Sequence, residues 1–142
     1  MTNDEFLMTT DRLVISRAGQ YRSSGSGALV TRNSIFLKSN ECKVGRIATS
    51  DFSDGVSEIC YDIEMFHGQN GYASEALKAV TQKKFEQDKL PKLVIKKENL
   101  WSQRVAIKSG YVPAGELFDE RVEFVPCGIG SDIETKRLVI EK

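Results

Sequence analysis

The chain has 142 residues, enough for one domain that buries roughly 68–70% of its unfolded surface. Basic and acidic side chains balance at a formal net charge of +0, so charge alone draws the protein neither to nucleic acid nor to an anionic membrane. No apolar run approaches the roughly 20 residues of a membrane helix. The start, with Asp4 and Glu5 ahead of Phe6, lacks the basic start and apolar core of a signal peptide. Cys42, Cys60 and Cys127 are widely spread, without metal-ligand spacing. We expect no metal and no disulfide framework, and a reducing cytoplasm suits them.

The predicted elements follow in chain order. Residues 12–17 alternate around Leu13 and Ile15 and predict a first strand. Residues 18–33 are rich in Gly and Ser, notably Ser23-Ser24-Gly25-Ser26-Gly27, and predict a loop with little capacity for a core. Residues 34–39 and 43–50 flank Asn40-Glu41-Cys42 as a hairpin. Residues 56–65 alternate cleanly, with Ile59, Tyr61, Ile63 and Met65 on one face and Glu58, Cys60, Asp62 and Glu64 on the other. Residues 72–88 predict a helix that places Ala73, Ala76, Leu77 and Val80 at core spacing. A short strand at 93–97, a short helix at 101–109 and strands at 111–117, 121–125 and 136–141 complete the chain. These elements assemble as a single-domain α/β fold over 1–142. Its sheet is mixed and mostly antiparallel, with a central βαβ unit at 56–97.

Chemistry gathers where that unit turns from strand to helix, at His67-Gly68-Gln69-Asn70-Gly71-Tyr72-Ala73. The first N–H groups of a helix have no partner within it, and its dipole is positive there, so an anion such as a phosphate fits. Glycines at 68 and 71 keep side chains out of the way. A nucleotide P-loop would need Lys-Ser or Lys-Thr where Tyr72-Ala73 stands, and the Gly68–Gly71 spacing is not G-x-G-x-x-G. An ordinary Asn70-Gly71 turn before a helix is the plain alternative.

Gly71-Tyr72-Ala73-Ser74-Glu75-Ala76-Leu77 and the later Asn99-Leu100-Trp101-Ser102-Gln103-Arg104-Val105-Ala106-Ile107-Lys108-Ser109-Gly110-Tyr111 together resemble the GNAT superfamily of acyl-CoA-dependent N-acyltransferases. The likeness is to the branch of ribosomal-protein N-terminal acetyltransferases, with its "G-Y-A-T-E-A-L" and "N-x-x-S-x-R-V-x-x-K-x-G-F" segments. Thr10-Asp11-Arg12-Leu13-Val14-Ile15-Ser16-Arg17 is similar to the branch's opening "T-E-R-L-x-L-R", and Glu58-Ile59-Cys60-Tyr61-Asp62-Ile63 to its "E-I-G-Y-x-L".

The resemblance implies acetyl-CoA as cofactor. Backbone groups of Ile63, Glu64 and Met65 would bond the pantetheine arm, and the amides of Gln69, Asn70, Gly71, Tyr72 and Ala73 would hold the pyrophosphate. The family carries Arg or Gln where this chain has Gly68. Asn99 would touch the cofactor or cap the short helix. Ser102 would lie near the thioester sulfur, or simply pack on that helix. Many relatives place a Tyr acid where Ala106 stands, which leaves Ser102 as the candidate on that helix. Glu58 is the candidate base, against a solvated or salt-bridged strand carboxylate. His67 would cap the loop or meet solvent.

The related enzymes place two helices between their first two strands, and 18–33 has neither the length nor the composition for them. The acceptor side is then open, completed by a second subunit in a homodimer, or built by 120–134. The expected activity is transfer of an acetyl group to a primary amine, on a small molecule or a protein N-terminus, by direct attack in a ternary complex. The alternative is a CoA-binding or interaction module of the same fold that has lost efficient transfer.

Overall fold

In a computed structural model, residues 8–64, 70–117 and 119–127 are described. The expected strand at 136–141, and Met65, His67, Gly68 and Gln69, lie outside them. The chain divides into two units, Met1–Pro91 and Lys92–Lys142.

The first unit is an antiparallel meander carrying one helix. Its strands, β1 (Met8–Thr9), β2 (Leu13–Arg22), β3 (Leu29–Leu37), β4 (Lys43–Asp51) and β5 (Val56–Ile63), pair in chain order. Helix α1 (Tyr72–Glu86) packs on β2, β4 and β5. Leu13, Ile15, Ile35, Ile47 and Ile59 are buried, and so are Ala73, Ala76, Leu77 and Val80 on the helix, the four that the spacing predicts. The alternation of β5 also holds: Ser57, Ile59 and Ile63 are buried, while Cys60 and Asp62 are exposed on the other face. At the far end of α1, the ammonium of Lys84 sits 3.0 Å from Asp51 Oδ1, which also accepts the Ser57 hydroxyl at 2.7 Å. The two charges are nearly buried, and they satisfy each other.

The glycine- and serine-rich stretch 18–33 departs from the expected loop. β2 and β3 run through it as a paired hairpin, and only Ser23 to Ala28 turns. Gly19 is no breaker: the register shifts between Arg17 and Gly19, which marks a bulge, and pairing resumes through Gln20↔Thr31 and Tyr21↔Val30. Gln20 Nε2 then donates to Thr31 Oγ1 at 2.8 Å. The residues between β2 and β3, Ser23 to Ala28, form a turn and hold no helix.

In the second unit, β6 (Leu90–Lys96, beginning at the end of the first unit), β8 (Arg121–Pro126) and β7 (Tyr111–Glu116) form antiparallel pairs in that order. Helix α2 (Leu100–Lys108) packs on β7. Leu93, Ile95, Ala106, Tyr111 and Phe124 are the buried hydrophobic side chains that form its core. No helix among the described residues is long and apolar enough to cross a membrane.

Candidate active site

The start of α1 is built by residues far apart in sequence. Gly71 is the N-cap, with φ 79°, a left-handed backbone that side-chain-bearing residues rarely adopt. It has no side chain to bond the first-turn amides, so that end of the helix lacks the internal acceptor that Ser, Asp or Asn would supply. Asn70 beside it is exposed, Tyr72 half-buried and Ala73 buried.

Glu75, one turn in, is clamped by the residues preceding β2. Its Oε2 accepts the Thr10 hydroxyl and, at 2.8 Å, the Arg12 backbone N–H. Its Oε1 takes Arg12 Nε at 2.7 Å. The Thr10 hydroxyl in turn accepts the Leu13 N–H at 3.1 Å, so both its roles are in use. The Arg12 guanidinium lies 4.7 Å from the centre of the Tyr72 ring, a cation–π contact. Partial burial would raise the Glu75 pKa. The hydrogen bonds from Thr10 and Arg12 and the guanidinium charge outweigh it, holding the carboxyl below its ordinary value. The clamp therefore fixes the first turn of α1 and leaves a cation beside it: a Cβ added at Gly71 would stand 3.5 Å from Arg12 Nη2. Thr10-Asp11-Arg12 and Glu75 both lie in motif segments of the sequence, and no local pattern joins them.

On β5, Ile63 is buried and Glu64 just past it is exposed. The Glu64 N–H bonds the Val44 carbonyl at 2.7 Å. Strand backbones alternate, so the Ile63 N–H and C=O point toward the other edge of β5. Ile63, and not the Glu64 N–H, is thus suited to bond a strand-like ligand. Gly45 makes this end of the sheet possible, because a Cβ there would stand 2.3 Å from the Asp62 carbonyl oxygen.

Glu58 is half-buried on β5, opposite Ser50, on the face that α1 does not cover. Cys60 follows on that face. Its thiol is pushed up, chiefly by lost solvation and then by the Glu58 charge, although the residue as a whole is exposed. In the second unit, Asn99 caps α2, its Oδ1 accepting the Ser102 N–H at 3.1 Å. Ser102 is buried in the first turn, and Ala106 is fully buried one turn on.

The sequence matches the acetyltransferase (GNAT) domain family over residues 6–112, a span that crosses both units, and the chain belongs to that family. Its fold is shared with solved structures. A Vibrio cholerae protein proposed to be a ribosomal-protein-serine acetyltransferase superposes with TM-score 0.68 at 16% identity, covering 87% of this chain and 99% of that one. A Bacillus anthracis GNAT-family acetyltransferase gives 0.66 at 18% identity, covering 84% and 95%. AAC(6')-Ib, solved with ribostamycin and coenzyme A, gives 0.60 at 17%, covering 68% and 63%. No curated protein matches. The class so defined is an acetyl-CoA-dependent N-acetyltransferase.

Proposed function

We propose that this chain transfers the acetyl group of acetyl-CoA to a primary amine by direct attack, without a covalent enzyme intermediate. One observation supports this most: a long helix begins at a left-handed glycine with no side-chain cap, held by the Arg12–Glu75 clamp. Such an end suits an anion. The residues present fit the cofactor there: Asn70, Gly71, Tyr72 and Ala73 would hold its pyrophosphate through backbone amides, and Ile63 would bond the pantetheine arm as an added strand would. Bound acetyl-CoA supplies a thioester carbon that a neutral amine can attack, forming a C–N bond as the C–S bond breaks.

Glu58 is the group we assign to take the proton that the amine loses. An α-amino group with a pKa near 8 is neutral in about 10% of molecules at pH 7, against roughly 0.04% for a lysine-like amine near 10.4. A modest base therefore serves a chain terminus better than a side chain. Ser102 is assigned to donate a hydrogen bond to the departing sulfur, a thiol of ordinary pKa near 8.5 that needs little help to leave. Asn99 has a role independent of any ligand, since it caps the helix that carries Ser102.

The test is thiol release from acetyl-CoA by the purified protein in the presence of amines. Ser102→Ala and Glu58→Gln should each lose transfer while still binding CoA. Full activity in both variants would remove the catalytic assignments. CoA binding without transfer by the unaltered protein would leave a binding module.

A further inference from the structure

The face of the β2–β5 sheet opposite α1 carries charges in an ordered array. Strand register sets them in rows: Ser34, Arg46 and Asp62 in one, Arg32, Ala48 and Cys60 in the next, and Val30, Ser50 and Glu58 in a third. Ala48 lies between longer neighbours, and a hollow of about 370 Å³ opens there, lined by Arg32, Lys43, Arg46, Cys60 and Asp62 among others. Arg32 and Arg46 are diagonal neighbours on adjacent strands, whose Cβ atoms lie about 7–8 Å apart. A single planar anion can therefore be reached by both guanidinium groups.

Three cations meet one carboxylate in this hollow. Asp62 faces Arg46 at 3.4 Å with both side chains largely exposed, a loose pair that leaves most of the positive charge uncompensated. The Arg32 guanidinium has no hydrogen-bond or ion-pair partner among the described residues. The candidate base stands on the same face. Glu58 is two residues before Cys60 on β5, a step of about 7 Å along the strand. The charges of Glu58 and Arg46 both reach the Cys60 thiol.

We infer that this hollow is an acceptor subsite that takes a carboxylate of the amine substrate, selecting short acidic peptides whose free α-amine then lies toward Glu58. The inference rests on the acetyltransferase reading and names its acceptor class. The spacing supports it. Arg32 lies one row, about 7 Å along the strands, and Arg46 two rows, about 14 Å, from the row of Glu58, so a carboxylate held at the Arg32 end leaves a gap that an N-terminal residue spans when the residue after it is acidic. Free amines without an anionic group gain nothing from these cations, and polycationic amines are repelled.

The probes are two peptides differing only in charge, Ala-Glu-Ala-amide and Ala-Gln-Ala-amide. With acetyl-CoA, the acidic peptide should show a kcat/KM higher by about tenfold, the ratio that one good charged contact gives. In Arg32→Gln and Arg46→Gln the preference should fall to within about threefold, through KM rather than kcat. Asp62→Asn, which removes the competing carboxylate, should increase it, a change that no loss of structure would produce. Equal rates for the two peptides, or a preference that survives both arginine substitutions, would overturn the inference. If no peptide is acetylated, binding still decides. Titration of the 15N-labelled protein with Ala-Glu-Ala-amide should shift the amides of Arg32, Ala48 and Cys60, and the neutral peptide should not. Absence of those shifts would refute the subsite, whatever the fate of the transferase reading.

Discussion

Replacing Glu75 by Gln tests the clamp that holds the start of α1. The carboxylate accepts three hydrogen bonds, from the Thr10 hydroxyl, the Arg12 N–H and Arg12 Nε. Its side chain is only 18% exposed, whereas Arg12 is 46% exposed, so much of the pure charge attraction is screened by water. Hydrogen bonds to a charged acceptor contribute about 1.5–3 kcal/mol each. A glutamine keeps one acceptor oxygen but turns an amide donor toward the other donors. The expected net loss is about 2 kcal/mol, a fall of about 4–8 °C in Tm for a chain of this size.

The pH dependence gives an independent sign. The folded-state pKa of Glu75 is depressed. Its contribution is therefore fully present above the unfolded carboxyl value of about 4.3 and is lost as pH falls through the folded value. Urea unfolding of both proteins from neutral to acid pH should show the gap between wild type and Glu75→Gln narrowing below that point. A gap under about 0.5 kcal/mol at pH 7, the scatter of ordinary surface changes, would refute the reasoning. So would a gap that widens in acid.

Other substitutions test the rest of the frame. Gly45→Ala would drive a Cβ to 2.3 Å from the Asp62 carbonyl oxygen and 2.8 Å from Ile63 Cδ1; overpacking should cost about 1–3 kcal/mol in urea unfolding. Lys84→Met leaves the Asp51 carboxylate nearly buried without its ammonium. A loss of about 3–5 kcal/mol is expected, and adding Asp51→Leu should recover part of it. Asn99→Ala removes the acceptor for the Ser102 N–H and should lower stability by about 1 kcal/mol, with the fall in Tm as the readout.

Local pattern made much of this molecule legible. The period-two burial of β5 and the helical spacing of Ala73, Ala76, Leu77 and Val80 follow directly from side-chain geometry. The hairpin of β2 and β3 was hidden because Gly19 and the Ser-Gly run read as loop, and a bulge uses the same residues. Val30 and Thr31 were the β-branched signal that could have argued for a strand. The Thr10–Arg12–Glu75 clamp joins residues more than sixty positions apart, and no local periodicity carries such a contact. The charged hollow is likewise a product of register: Arg32, Arg46 and Asp62 become neighbours only when β3, β4 and β5 align.

Every catalytic role assigned above depends on acetyl-CoA binding at the start of α1. The most direct measurement is a thermal-shift titration with acetyl-CoA and with free CoA. Ligand at 100 times its dissociation constant should stabilise the fold by about 2.7 kcal/mol, a rise of several degrees. Both ligands should produce it. An unchanged melting temperature at millimolar acetyl-CoA would contradict that binding and leave Asn70-Gly71 an ordinary turn before a helix.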